Sequence, residues 1–141
     1  VIQPPPITNP VVDENQVATM PWVLFYNQLF TGDAGTSWTP TFTSLTETGT
    51  ATITGRYYKL SQYLCYFNVT VTPATDTSAV AGTTYINNFP LTASANGICF
   101  AVSGNLGTNS GMVVASNNRI YVPTWTAVTV PVTVIGLVEA N

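Results

Sequence analysis

Residues 62–72 read Gln62-Tyr63-Leu64-Cys65-Tyr66-Phe67-Asn68-Val69-Thr70-Val71-Thr72. Tyr63, Cys65, Phe67, Val69 and Val71 fall on one side of a two-residue period. Gln62, Asn68, Thr70 and Thr72 fall on the other, which is the pattern of a strand with one face on a core. Leu64 and Tyr66 interrupt the polar side, so that face is expected to be partly covered as well. Outward from this run the same grammar repeats. Strands are expected at Thr50–Thr54, Thr84–Phe89, Ile98–Ser103, Met112–Ala115, Arg119–Val122 and Ala127–Val138. Turn signals separate them: Pro73 with Asp76, Asn96-Gly97, the polar stretch Gly104–Gly111 (GNLGTNSG), and Asn117-Asn118. Pro131 lies inside the last run and predicts an edge position or a bulge there, because proline cannot donate to a ladder. About eight short strands at this spacing, with no second helix, predict an all-β fold over residues 36–141, an antiparallel β-sandwich or jelly roll.

Residues 1–35 read differently. Pro4-Pro5-Pro6 and Pro10 impose extended geometry on an arm that has no core of its own. Residues 21–30, PWVLFYNQLF, form the one helical candidate: Pro21 suits a first helical position, and Trp22, Phe25, Tyr26 and Leu29 recur at i, i+3, i+4 and i+7. Gly32 is placed to stop it. Ten residues do not make a stable isolated helix, so the apolar face must dock. It docks either on its own sandwich or, with the proline-rich arm tipping the balance, on a larger assembly.

Composition removes several functions. Of 141 residues only nine are charged, six acidic and three basic, and none is histidine. Polarity comes instead from 24 threonines, 12 asparagines and 8 serines. Arg56, Lys59 and Arg119 cannot neutralise a run of phosphates, so no nucleic-acid partner is expected. Without histidine no Ser-His-Asp or Cys-His pair exists, and the common zinc sites are missing too. No apolar run is long enough for a membrane helix, and the N-terminal segment, uncharged by any basic residue before Arg56, does not read as a signal peptide. A surface so poor in charge suits burial against partners, and low net charge favours association.

The remaining candidates are few. Cys65 and Cys99 sit in apolar company on different strands. They could pair across the core, but buried free thiols acting as small hydrophobes are the favoured reading, and two thiols do not make a metal site. Asp13, Glu14, Asp33, Glu47, Asp76 and Glu139 fall in the arm, in turns or at a strand end, so no carboxylate pair suited to acid–base chemistry is expected; the chain reads as a non-enzyme without a cofactor. Tyr85 with Asn87-Asn88, and Tyr121 with Trp125, are the nearest to a sugar platform, where rings stack and amides hydrogen-bond. Core or interface packing is the simpler reading of the same aromatics. Asn68-Val69-Thr70 is a glycosylation sequon that matters only in a secretory pathway.

Two stretches together carry a resemblance. One runs from Pro4-Pro5-Pro6 through Val11-Val12 to PWVLFYNQLF. The other runs from Trp38-Thr39-Pro40 through Gly49–Gly55 to Arg56-Tyr57-Tyr58-Lys59-Leu60. They resemble small virion proteins of tailed bacteriophages, of the fibre, tail or minor structural type. In those, a proline-rich leader and a Pro-Trp helix precede a sandwich opened by a W-T-P strand and a G-x-Y-x-K turn, here Gly55-Arg56-Tyr57-Tyr58-Lys59. The resemblance implies a structural component, commonly trimeric, held on the particle by its N-terminal part and assembled in the bacterial cytoplasm. That compartment agrees with reduced cysteines. Long fibres of this kind carry a repetitive shaft and this sequence has none, which turns the expectation toward a short fibre or a capsid-bound protein.

The sequence therefore predicts a virion protein. Residues 1–35 are its anchor to other virion proteins, through Pro21, Trp22, Phe25, Tyr26 and Leu29. The sandwich is displayed for attachment to a host surface. A capsid cement or decoration protein is the alternative. A soluble carbohydrate-binding module resting on Tyr85, Asn87, Tyr121 and Trp125 is the third reading.

Overall fold

Trp38 and Phe42 lie four residues apart in the chain yet belong to opposite edges of one sheet. In the computed structural model, which describes residues 35–103 and 106–141, strand β1 (Thr36–Trp38) is followed by β2 (Phe42–Thr43), β3 (Thr46–Thr48), β4 (Thr52–Lys59) and β5 (Leu64–Thr72). Then come β6 (Asp76–Ala79), β7 (Tyr85–Ile86), β8 (Gly97–Ser103) and β9 (Leu106–Val114). A 3-10 turn at Ala115–Asn117 leads to β10 (Arg119–Tyr121), β11 (Trp125–Val128) and β12 (Val132–Glu139). Nine of these form one antiparallel sheet in the order β1-β4-β5-β12-β8-β9-β10-β7-β2, and β11-β6-β3 form a second. A flat nine-stranded sheet would hold its edges about 38 Å apart, whereas four residues of chain reach at most about 14 Å. The sheet must therefore curl until its edges nearly meet, and the segment 36–43 spans the gap. The all-β, sandwich-like fold expected from the sequence is present in these residues. The predicted arm and helix, with Pro21, Trp22, Phe25, Tyr26 and Leu29, lie outside them.

The inward face is legible as registered rows. Val71, Val132 and Ser103 stand side by side, as do Val69, Val134 and Ala101, then Phe67, Gly136 and Cys99. Nearly all of these side chains are buried, each large one contributing about 1.5–3 kcal/mol on leaving water. Gly136 is required in its row: a Cβ there would collide with the Phe67 ring edge and with the Ile98 carbonyl. Phe67 thus packs over the glycine and continues into an aromatic chain, Phe67–Phe89 (5.5 Å), Phe89–Trp38 (5.9 Å) and Trp38–Tyr57 (6.0 Å). The second sheet closes on the core through Trp125, whose ring meets Phe42 edge-on at 6.3 Å and whose indole N–H donates to Thr77 Oγ1 at 3.3 Å.

Four expectations are corrected. Asp76 opens a strand, not a turn, because β6 pairs on both sides, with β3 and with β11. The polar stretch 104–111 is mostly strand, since β9 begins at Leu106 and pairs along β8. The run 127–138 is not one strand but parts of two, in different sheets. Thr129 takes a left-handed backbone (φ 60°) and breaks the run there. Pro131 then precedes β12, which is central in the large sheet, so the missing N–H falls outside the ladder and marks neither an edge nor a bulge.

Side-chain amides finish the loops. Asn118, at φ 53°, accepts the Ala93 amide hydrogen at 2.9 Å and donates to the carbonyls of Leu91 (2.9 Å) and Phe89 (3.3 Å). Asparagine tolerates the left-handed region, and its amide pins a segment whose other pairing is the isolated antiparallel bridge between Ala93 and Ala140.

Candidate functional site

The outward face of the large sheet carries the site. The register aligns one residue from each of seven neighbouring strands: Tyr58 (β4), Tyr66 (β5), Leu137 (β12), Ile98 (β8), Met112 (β9), Tyr121 (β10) and Tyr85 (β7). All seven are large and none is charged. Ile98, Met112 and Leu137 are 47%, 47% and 43% exposed, and Phe100 beside them is 43% exposed. Isolated surface hydrophobes are ordinary, but a contiguous belt marks an interaction surface. At its two ends the rings pair with one another, Tyr58 with Tyr66 at 5.6 Å and Tyr85 with Tyr121 at 5.2 Å.

Near the belt centre Tyr66, Ile98, Phe100, Ile135 and Leu137 border an apolar hollow of about 180 Å³. A broader open cleft of about 780 Å³ runs past Ile98, Ser110, Met112, Asn117 and Tyr121. Beyond the belt the face turns polar: Thr54, Thr70 and Thr133 align across β4, β5 and β12, with Thr70 and Thr133 hydroxyls 3.4 Å apart.

The four residues expected to form a sugar platform do not converge. Tyr85 and Tyr121 are adjacent, and the Arg119 guanidinium lies 4.3 Å from the Tyr85 ring centre. Arg119 also hydrogen-bonds the Tyr121 phenol, which favours the phenolate and holds the Tyr121 pKa below its usual value. Asn117 Nδ2 donates to the same phenol oxygen at 3.3 Å. Asn87 lies apart: its amide N–H pairs with the Thr41 carbonyl and its Nδ2 donates to Thr43 Oγ1. Trp125 is buried on the inward side, so its expected role as an exposed ring is corrected to that of a core residue.

Both cysteines are free and buried. Cys99 Sγ donates to the Tyr121 carbonyl at 3.5 Å, and burial pushes its pKa up to about 12. Burial also raises Cys65. Both thiols are thus protonated and unreactive near neutral pH. Glu47 and Asp76 lie on paired strands, but Glu47 stands opposite Thr77 and Asp76 opposite Thr48. One residue of offset puts the two carboxylates on opposite faces. Among the described residues no three metal-ligating side chains cluster, and no helix is long and apolar enough to cross a membrane.

The belt is absent from the sequence reading because its members lie 8 to 16 residues or more apart in the chain and meet only through strand order. Leu64 and Tyr66, breaking the polar face of 62–72, were its one local trace. Comparison with known proteins adds no assignment: no family model, curated protein or solved structure matches the chain.

Proposed function

We propose that the protein is a non-enzymatic structural component of a bacteriophage particle, a small fibre or spike. Its N-terminal segment makes the attachment to other virion proteins, and its β-domain is displayed toward the host surface. The belt of Tyr66, Leu137, Ile98, Met112 and Tyr121 is the observation that carries this reading. A chain that leaves a registered, uncharged, apolar row across seven strands is shaped to be covered by another macromolecule. The scarcity of charge and the resemblance of Trp38-Thr39-Pro40 and Gly55–Lys59 to small phage virion proteins point the same way.

Quantitative mass spectrometry of purified particles tests it, with this chain ratioed to the major capsid protein. A small fraction of the capsid protein's copy number is expected for a fibre or spike. A ratio near one would replace the fibre with a capsid decoration protein. Complete absence from particles would end the virion reading.

A further inference from the structure

Arg119 is held in place without a carboxylate. Its guanidinium lies 4.3 Å from the Tyr85 ring centre and hydrogen-bonds the Tyr121 phenol, and no acidic group among the described residues acts on it. A solvated arginine carries much rotamer freedom. This one is fixed by a ring and a phenol before any ligand arrives, so less freedom is lost on binding. We propose that Arg119, with Tyr85, Tyr121 and Asn117, binds a carboxylated saccharide. The proposal rests on reading the β-domain as displayed toward a host surface, and it names the chemistry recognised there.

The site is local. Arg119 and Tyr121 lie two residues apart on the outward face of β10. Val114 and Met112 stand opposite them on β9, and Tyr85 stands opposite Tyr121 on β7. Three neighbouring strands are only about 10 Å across, so the curl of the sheet does not separate the members. Val114, Met112, Tyr121 and Asn117 line the open cleft of about 780 Å³. Arg119 therefore stands on the cleft rim, beside an apolar floor.

The groups present match such a ligand one by one. A guanidinium offers a planar fork whose parallel N–H donors fit a carboxylate. One positive charge balances one negative charge, whereas a phosphate carries up to two. The other cations of the described chain, Arg56 and Lys59, belong to β4, several strands away. Asn117 is oriented from both ends: its Oδ1 accepts the Arg119 amide hydrogen at 3.2 Å, and its Nδ2 donates to the Tyr121 phenol oxygen at 3.3 Å. The carboxamide has a second hydrogen and a second lone pair to offer sugar hydroxyls. Tyr85, Tyr121 and Met112 supply apolar surface for the C–H face of a sugar ring. A peptide fits less well, because β10 is paired on both sides and leaves no main-chain edge for a strand to join.

One carboxylate and one ring face set a modest strength, a dissociation constant of about 0.1–1 mM. Several copies on one particle would multiply it.

Titration of the isotope-labelled full chain with trigalacturonic acid and with N-acetylneuraminic acid, to about 10 mM, tests this through backbone amide shifts. At least one of the two should give saturable shifts centred on Asn117, Arg119 and Tyr121. The methyl ester of that sugar, sodium acetate and inorganic phosphate should each bind at least about tenfold more weakly. Arg119→Gln should weaken binding by at least about tenfold while keeping the β-rich circular dichroism spectrum. Arg119→Lys, which keeps the charge but not the fork, serves if Arg119→Gln does not fold, and should also bind more weakly. Lys59→Gln removes a cation far from the site and should bind as the wild type does.

Absence of shifts with both acidic sugars would overturn the site. Equal binding of the methyl ester would remove the carboxylate from it, and equal binding of acetate or phosphate would leave an anion site with no sugar recognition; either overturns the proposal. So would a folded Arg119 variant that binds normally. Particle copy number is independent of these results. A chain found in particles that binds neither sugar leaves the virion reading standing, and a chain that binds but is absent from particles leaves only the saccharide site.

Discussion

Asn88 holds the backbone on both sides of Pro40. Its Oδ1 accepts the Thr41 amide hydrogen at 2.7 Å, and its Nδ2 donates to the Thr39 carbonyl at 2.8 Å. Pro40 has no N–H to offer a neighbouring strand, and here the chain passes from one sheet edge to the other. One carboxamide thus substitutes for a rung of ladder where no strand can supply it. Asn88→Ala removes both bonds at once. Because the site borders solvent, water recovers part of the loss, and the expected cost is about 1–2 kcal/mol. Denaturant titration measures it. A change of less than about 0.3 kcal/mol would mean that the corner is held by Pro40 and its neighbours alone.

Gly136 is the second sensitive position. Its missing side chain makes room for the Phe67 ring and lets the Ile98 carbonyl approach. In Gly136→Ala the carbonyl cannot retreat without breaking the β8–β12 ladder, and Phe67 is fully buried. Overpacking of this kind costs about 1–3 kcal/mol, so a lower melting temperature and a changed near-ultraviolet signal are expected. Wild-type melting would mean that Phe67 can rotate away without loss.

The Cys99 thiol gives stability a defined pH dependence. Its pKa rises from 9.0 to about 12 on folding, because burial disfavours the thiolate. Below pH 9 both folded and unfolded chains carry the proton, and the thiol adds no slope. Between pH 9 and 12 the unfolded chain ionises first and binds fewer protons, so stability falls with a slope approaching about 1.4 kcal/mol per pH unit. Cys99→Ala should flatten part of that decline in urea titrations at pH 8, 9 and 10. An unchanged slope in the variant would assign the decline to other groups.

Local alternation made much of the fold readable. Cys65, Phe67, Val69 and Val71 needed no partner to announce a buried face, and all four are buried, whereas Tyr63, read on the same face, precedes β5 and is exposed. The sequence misled where tertiary pairing overrode local signals. Asp76 and the polar residues after Gly104 carry turn chemistry, yet they pair because β3, β11 and β8 lie alongside. The break at Thr129 has no propensity signal, since a left-handed threonine is held by its surroundings; its amide donates to the Thr75 carbonyl at 3.0 Å. Trp125 looked like Tyr121 in the sequence, and only the second sheet, with Thr77 waiting for the indole N–H, separates a core ring from a surface one. The belt was the least visible feature, because its periodicity runs across strands and not along them.

The strand segment 36–43 has a consequence for how the domain comes into being. It is the first part of the β-domain to leave the ribosome, and neither of its partners yet exists. β4 arrives some 15 to 20 residues later and β7 more than 40 residues later. β7 is itself held by β10, and the core rows by β12, near the end of the described chain. The latch is thus made first and fastened last. Such long-range pairing is slow to form, and until it forms the edges of β4 and β7 stand open to other chains. The interval before Trp38 and Phe42 find their edges is the period of greatest risk. A lower expression level, which leaves fewer neighbouring chains to meet an open edge, should therefore raise the yield of correctly closed domains.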